Sequence, residues 1–572
     1  MNEKYYVHWF QNTEGVGFFS NSLSQISECH LPKKVNPNLQ KVLLNPVKNS
    51  LQYSFSKKKI FIGFSTLFPF STKRAPIWID PKAFFQMILI GGSIGSGKTT
   101  LVNRLLAGAL NCGMTVAIGE AKGGLEVMPE RTAFSLLAKY LAKRLNVNNY
   151  RWPRGNCWFN PLLYLNSASD RQTFMSAIAK QTSADNLQFV DRAASIAALV
   201  LEYLEASLVD VKHRSKRCTL EQVVKYLDPK EFINYSRKVE SKYEDRIKDS
   251  NVNSKKIELY KSKLKQLKAI KQKFKRLGFL ELATAKVADR LNSAQGGGIK
   301  DFTDILQDED LLYYTAEHET DREGNPLIQL KLEEIVYELS LVVVSQPLAS
   351  NSPSANIVGP IFWESLLSYV RKLGLSPEKK DGKSRKDIVA FLDETHRLPV
   401  GNLGDSGDTL REYKIGLVEI LPSIGDRVRW ERNKHVYQTI FSSSPGVKEV
   451  YELMHERLPE YIRPRFEVGF DLQLNDGRVS VAPRVSDNQN NIAPQGDPGV
   501  SIRALADTGN YTTLMHSRSV HINDSNGLFW IDLESPLLAK LQLLLQEAVN
   551  GDVVSGRLAD YALGLVQEFD KG

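Results

Sequence analysis

Met87-Ile88-Leu89-Ile90-Gly91-Gly92-Ser93-Ile94-Gly95-Ser96-Gly97-Lys98-Thr99-Thr100-Leu101-Val102 is the stretch whose reading decides the fold. From Gly92 to Thr99 it carries the spacing G-x-x-x-x-G-K-[ST]. On one side lies a short apolar run, on the other Leu101, Val102, Leu105, Leu106 and Leu110 at helical spacing. Strand, glycine-rich loop and helix in that order build a phosphate cradle. The glycines let the backbone curl until successive N–H groups converge, and a helix starting near Lys98 adds its positive dipole end. On this reading Gly92, Ser93, Gly95, Ser96, Gly97, Lys98, Thr99 and Thr100 hold the phosphates of ATP. Lys98 reaches the β and γ phosphates, and the Thr99 hydroxyl is a ligand of Mg²⁺.

The same alternation continues outward. Ile77-Trp78-Ile79, Met114 to Ile118, Leu341 to Ser345, Ile388 to Leu392, Leu417 to Leu421 and His435 to Phe441 read as strands, and Ile361 to Leu373 as a helix. Strands alternating with helices predict an α/β fold around a parallel sheet, whose ligands bind at the strand ends. Two such ends carry chemistry. Ile388-Val389-Ala390-Phe391-Leu392 runs into Asp393-Glu394, where Asp393 would hold the Mg²⁺ shell and Glu394 would orient or activate the attacking water. Met114 to Ile118 runs into Gly119-Glu120-Ala121-Lys122, which makes Glu120 and Lys122 candidates of lower rank. Arg411, Arg427, Arg429 and Arg432 form a group from which a neighbouring subunit's γ-phosphate could be contacted.

Four further regions frame this core. Residues 1–75 mix aromatic and β-branched residues with Ser and Asn, and predict a small β-rich N-terminal region. The core itself takes residues 76–169 and 296–458, with the boundary set at Gly296-Gly297-Gly298. Between its halves, helical spacing dominates from about Asp170 to Leu291, and residues 170–295 predict an inserted all-helical domain. Within it, Ser254 to Lys275 is dense in lysine and sets Ile257, Tyr260, Leu264, Leu267 and Phe274 on one face. Residues 459–572 predict a hairpin around Asn475-Asp476-Gly477, then helices over Pro536 to Val549 and Leu558 to Phe569.

Of the 572 residues, 74 are Lys or Arg and 65 Asp or Glu, a net charge of +9 that favours a polyanionic partner such as nucleic acid or a membrane surface. Cys29, Cys112, Cys157 and Cys218 lie far apart, which excludes a C-x-x-C zinc site and a disulfide framework. The residues after Met1 lack the apolar core of a signal peptide, and Glu202 and Glu205 interrupt the longest apolar helix, Ala193 to Val209. The expectation is a cytosolic chain without a membrane span.

Taken together, the landmarks resemble the HerA/FtsK branch of phosphate-loop ATPases, most closely the type IV secretion coupling proteins of the TraG/TraD kind. Gly91 to Thr100, the Gly119-Glu120-Ala121-Lys122-Gly123 turn, Phe159-Asn160-Pro161-Leu162, the helical insertion, Phe391-Leu392-Asp393-Glu394 and Arg411-Glu412-Tyr413-Lys414-Ile415-Gly416 carry the resemblance over roughly residues 75–455. It implies a RecA-like P-loop NTPase core, hydrolysis of ATP with Mg²⁺, a homo-hexameric ring and DNA of either strandedness as the cargo. It also implies a bacterial cytoplasmic setting, peripheral to the inner membrane, with a membrane-anchored secretion partner or a relaxase, and it puts Arg411 first among the arginines as a catalytic residue. A secretion ATPase acting on protein and a nucleotide-gated HerA-like motor or scaffold in defence or DNA processing are the alternatives. Three departures stand out: Glu120 replaces the family's usual Asp, Leu421-Pro422-Ser423 lacks its glutamine, for which Gln438 is a weak substitute, and the membrane helices typical of coupling proteins are missing.

Overall fold

In a computed structural model, the residues described are 59–65, 75–92, 98–121, 147–181, 187–208, 214–249, 253–284, 294–346, 355–374, 383–393, 403, 410–422, 430–431, 434–443, 449–450, 453, 468–475, 478–485, 512–517 and 527–532. The sheet is built on strand β3 (Ile88–Gly92), all five residues of which are buried. Apolar runs without alternation, such as Ile88-Leu89-Ile90 and Ile388-Val389-Ala390-Phe391-Leu392, suit strands covered on both faces. Parallel neighbours of this kind extend from β3 in both directions. The order is β11 (Thr439–Ser443), β3, β10 (Ile415–Leu421), β9 (Ile388–Leu392), β4 (Thr115–Glu120), β8 (Ser340–Ser345) and β5 (Asn148–Trp152). These seven parallel strands, covered by helices on both faces, form the parallel α/β core expected from the motif.

Antiparallel strands lengthen the sheet beyond β11. They are β14 (Thr512–Ser517), β15 (Gly527–Asp532), β1 (Ile60–Ser65) and the edge strand β2 (Ala75–Ile79). Ile77-Trp78-Ile79, expected to open the parallel core, is therefore the antiparallel edge. Strands from the first 75 residues and from beyond residue 459 share the core's sheet: β14 pairs with β11 across about seventy residues and β1 with β15 across more than four hundred, which local pattern does not encode. Apart from this sheet, β6 (Cys157–Trp158) pairs in parallel with β7 (Ile328–Gln329), and the predicted hairpin forms from β12 (Val468–Asn475) and β13 (Arg478–Val485) in the register Asn475↔Arg478. The two C-terminal helices expected from the sequence lie outside the described residues.

Two cores sandwich the sheet. On one face, Ile88, Ile90, Val116, Ile118, Phe391, Val418 and Phe441 pack with Leu101, Leu105 and Leu106 of helix α1 (Lys98–Asn111). On the other, Leu89, Ala117, Leu392, Leu417 and Ile440 pack with the helical part of the chain. That part comprises α2 (Ala168–Ala179), α3 (Leu187–Ala206), α4 (Leu220–Tyr226), α5 (Pro229–Lys248), α6 (Ser254–Arg276), α7 (Ala294–Leu306), α8 (Glu309–Tyr314) and α9 (Leu332–Tyr337), followed after β8 by α10 (Ala355–Leu373). Every residue from Ala355 to Val370 except Asn356 is buried, as expected of a helix whose apolar positions surround it.

The triple glycine read as a domain boundary lies inside α7. A Cβ on Gly298 would stand 2.6 Å from the Phe189 carbonyl oxygen, so the glycine lets α7 approach α3 closely, and helices continue to Tyr337. Tyr260, Leu267 and Phe274 of α6 are buried as the spacing predicts, with Phe274 against Phe232 and Phe279 at ring separations of 4.4 and 5.3 Å. Asn160 ties the insertion to the core. Its side chain accepts the Leu162 N–H to start the Pro161–Tyr164 turn, and its amide donates to the Cys218 carbonyl at 2.9 Å. Among the described residues no helix is long and apolar enough to cross a membrane.

Candidate active site

β3 and α1 place the two ends of the glycine-rich stretch. Gly92 ends β3 at the C-terminal edge of the sheet, and α1 begins at Lys98. The Lys98 ammonium, half-buried, donates to the Gly92 carbonyl at 2.5 Å, which holds its charge at the C-terminal end of β3. Ser93, Gly95, Ser96 and Gly97 lie outside the described residues, as do the side chains of Thr99 and Thr100, whose backbone is in the first turn of α1.

Asp393 follows β9, and one strand, β10, separates β9 from β3. Two strand spacings, about 10 Å, therefore lie between them. Register fixes the height: Val418 of β10 pairs with both Ile88 and Phe391, so Asp393 stands about level with Ile90, just below the Gly92 end. Alternation along β9 sends Phe391 toward α1 and Leu392 away, which turns Asp393 back toward the α1 side. The Asp393 N–H donates to the Gly119 carbonyl at 2.9 Å, fixing the carboxylate's base against β4. The fold thus brings a lysine ammonium and an aspartate carboxylate to one edge and one face, a donor set suited to phosphate oxygens and a divalent cation. Glu394 and Lys122 lie outside the described residues; Glu120 ends β4, half-buried, at the same edge.

Arg411 is elsewhere. It is exposed in the turn before Ile415, and Ile415 pairs with Ile388, the first residue of β9. A strand of seven residues, roughly 20 Å, separates it from the Gly92 edge. It does not join Lys98 and Asp393 within one chain. Arg427, Arg429 and Arg432 lie outside the described residues. Gln438 stands at that same far edge, its N–H donating to the Gln86 carbonyl at 3.0 Å, so it does not stand in for the missing glutamine.

Buried polar residues that sequence reading passes over lie within the sheet. Glu419, 2% exposed, sits on β10 in register with Leu89 and Leu392, directly between the two strands that bear Lys98's loop and Asp393. The Tyr437 hydroxyl donates to its carboxylate, and Trp430 stacks on Tyr437. Gln346, fully buried, follows β8 at the ligand edge, its N–H donating to the Glu120 carbonyl at 2.8 Å while both side-chain amide atoms are unpaired. The only sequence signal was position: a polar residue inside or just after an apolar run.

Against known proteins, no family model and no curated protein sequence matches the chain. Among solved structures it is similar to the plasmid coupling protein TrwB in complex with ADP and Mg²⁺, at 12% identity and a TM-score of 0.43, over 80% of this chain and 87% of that one. It is also similar to VirB4 of Thermoanaerobacter pseudethanolicus, at 12% identity and a TM-score of 0.40, over 84% and 97%.

Proposed function

We propose that this protein is a Mg²⁺-dependent ATPase that moves DNA through a ring of identical subunits in a conjugation or type IV secretion-like system. One observation carries the ATPase reading: the Gly92 to Thr99 sequence spans from the end of β3 to the start of α1, and Asp393 comes to the same edge of the parallel sheet. Backbone N–H groups of the loop and the Lys98 ammonium bind and orient phosphate oxygens. Thr99 and Asp393 would hold the divalent ion, which would supply neutralisation of phosphate charge. Glu394 orients water and takes up its proton. TrwB's complex with ADP and Mg²⁺ is consistent with such a site in a chain of similar fold.

The cargo reading rests on charge. Lys255, Lys256, Lys261 and Lys265 are exposed along α6, whereas Lys268, Lys271 and Lys273 pair with Glu244, Glu240 and Glu202. The exposed lysines supply phosphate contacts, so grip on DNA should fall steeply with salt. ATP turnover measured with single-stranded DNA, duplex DNA and neither tests both parts. Lys98→Ala should abolish turnover and keep the circular dichroism spectrum; full turnover in that variant refutes the site. Turnover indifferent to DNA, with no retention on DNA at low salt, refutes the cargo and favours a polypeptide substrate.

A further inference from the structure

Resting on the nucleotide-site reading above, the sheet order also orients the nucleotide. Asp393 marks the metal and γ-phosphate end, and it lies on the β10–β9 side of β3. The nucleoside must then extend to the other side of β3, over β11 and β14. At that position the strand ends are neutral and hydroxylated. Ser443, the last residue of β11, is in register with Gly92 and directly opposite Thr513, the second residue of β14. Phe441 and Met515, two residues along each strand, belong to the core beneath α1, so alternation puts Ser443 and Thr513 on the face that also receives Lys98 and Asp393. Both side chains are fully buried, and neither the Ser443 Oγ nor the Thr513 Oγ1 has a hydrogen-bond partner.

Two adjacent unpaired hydroxyls are costly to bury, and nothing in the strand pattern requires them: Phe441 and Met515 fill the equivalent positions with apolar groups. Their chemistry is uncharged, able both to donate and to accept, which suits ribose hydroxyls or a base edge and not a phosphate. We infer that Ser443 and Thr513 form a nucleoside-recognising pair, one and two strands from β3, that distinguishes a nucleotide from a bare polyphosphate.

Calorimetric titration of the full chain with Mg²⁺–ADP and with inorganic tripolyphosphate tests this. The double variant Ser443→Ala/Thr513→Val should weaken ADP about tenfold, the loss of two modest hydrogen bonds, and leave tripolyphosphate affinity unchanged. Its melting temperature should hold or rise, since it removes unpaired buried groups. Thr513→Ser, which keeps a hydroxyl, should keep ADP affinity near the unsubstituted value. Unchanged ADP affinity in the double variant, or equal weakening of both ligands, overturns the inference. If the unsubstituted protein binds neither ligand, the phosphate-site reading itself fails and takes this one with it.

Discussion

Gly416 offers a test in which two physical effects carry opposite signs. It lies on β10, between β3 and β9, and a Cβ built there would stand 2.7 Å from the Cβ of Phe84 and 2.9 Å from that residue's carbonyl carbon and oxygen. Phe84 belongs to the Pro81–Gln86 turn, whose start is fixed by the Asp80 side chain accepting the Lys82 N–H at 2.8 Å, and it is itself fully buried. Backbone propensity alone favours alanine over glycine in a strand by roughly 0.5–1 kcal/mol. Overpacking against a backbone that cannot turn aside costs about 1–3 kcal/mol. The overlap wins, so Gly416→Ala should destabilise by about 1 kcal/mol net and lower the urea midpoint by a few tenths of a molar. β10 is also the spacer between Gly92 and Asp393, so ATP turnover at saturating substrate should fall while the protein is still folded. Gly113→Ala is the matched control. Its φ of +82° penalises any side chain, yet nothing lies within 4 Å of its Cβ, so it should lose stability without loss of turnover. A midpoint for Gly416→Ala at or above that of the unsubstituted protein would refute the packing argument.

Three further outcomes follow from particular contacts. Tyr437→Phe removes a donor to the buried Glu419 carboxylate and should cost about 1.5–3 kcal/mol; a double-mutant cycle with Glu419→Gln should show coupling, and strict additivity would sink the assignment. Burial, helped by the Asp80 charge, pushes the Cys112 thiol up to about 11; burial, with Glu205 adding to it and Arg214 opposing, pushes Cys218 up to about 12; and burial drives Cys157 upward too. Mass-spectrometric mapping after alkylation at pH 8 should find all three protected until urea unfolds the chain. Because the native thiols keep protons that the unfolded chain releases from about pH 9, their stabilising contribution should be complete below pH 9 and disappear as pH rises through 11 to 12, read as a falling urea midpoint. Arg411 is remote from its own Lys98, so in the ring proposed above it would act on a neighbour's nucleotide. Two inactive variants, Lys98→Ala and Arg411→Ala, should therefore regain part of the turnover when mixed, whereas an Arg411→Ala variant that is fully active alone would remove the arginine from catalysis.

What the sequence made legible and what it did not divide along a physical line. Gly92, Lys98 and Asp393 were readable because each stands within a few residues of the strand or helix that positions it, and an apolar run buried on both faces announces itself without a partner. The neighbour relation was not readable, since β10 comes to lie between β9 and β3 only through its pairing with β3, some three hundred positions away, as of Val418 with Ile88. Nor was the place of β14 beside β11 readable, where a pairing across about seventy positions puts Thr513 opposite Ser443. Polarity was hidden in a further sense. A short motif such as Arg411 to Gly416 shows that an arginine precedes a strand, but a parallel strand carries ligands at its far end. An arginine before the strand is therefore a strand's length from chemistry in its own chain, while Asp393, after the strand, is beside it. By that rule a residue that precedes a core strand is out of reach of the Lys98 edge of its own chain, so the role proposed for Arg411 has to be tested between copies of the chain and not within one.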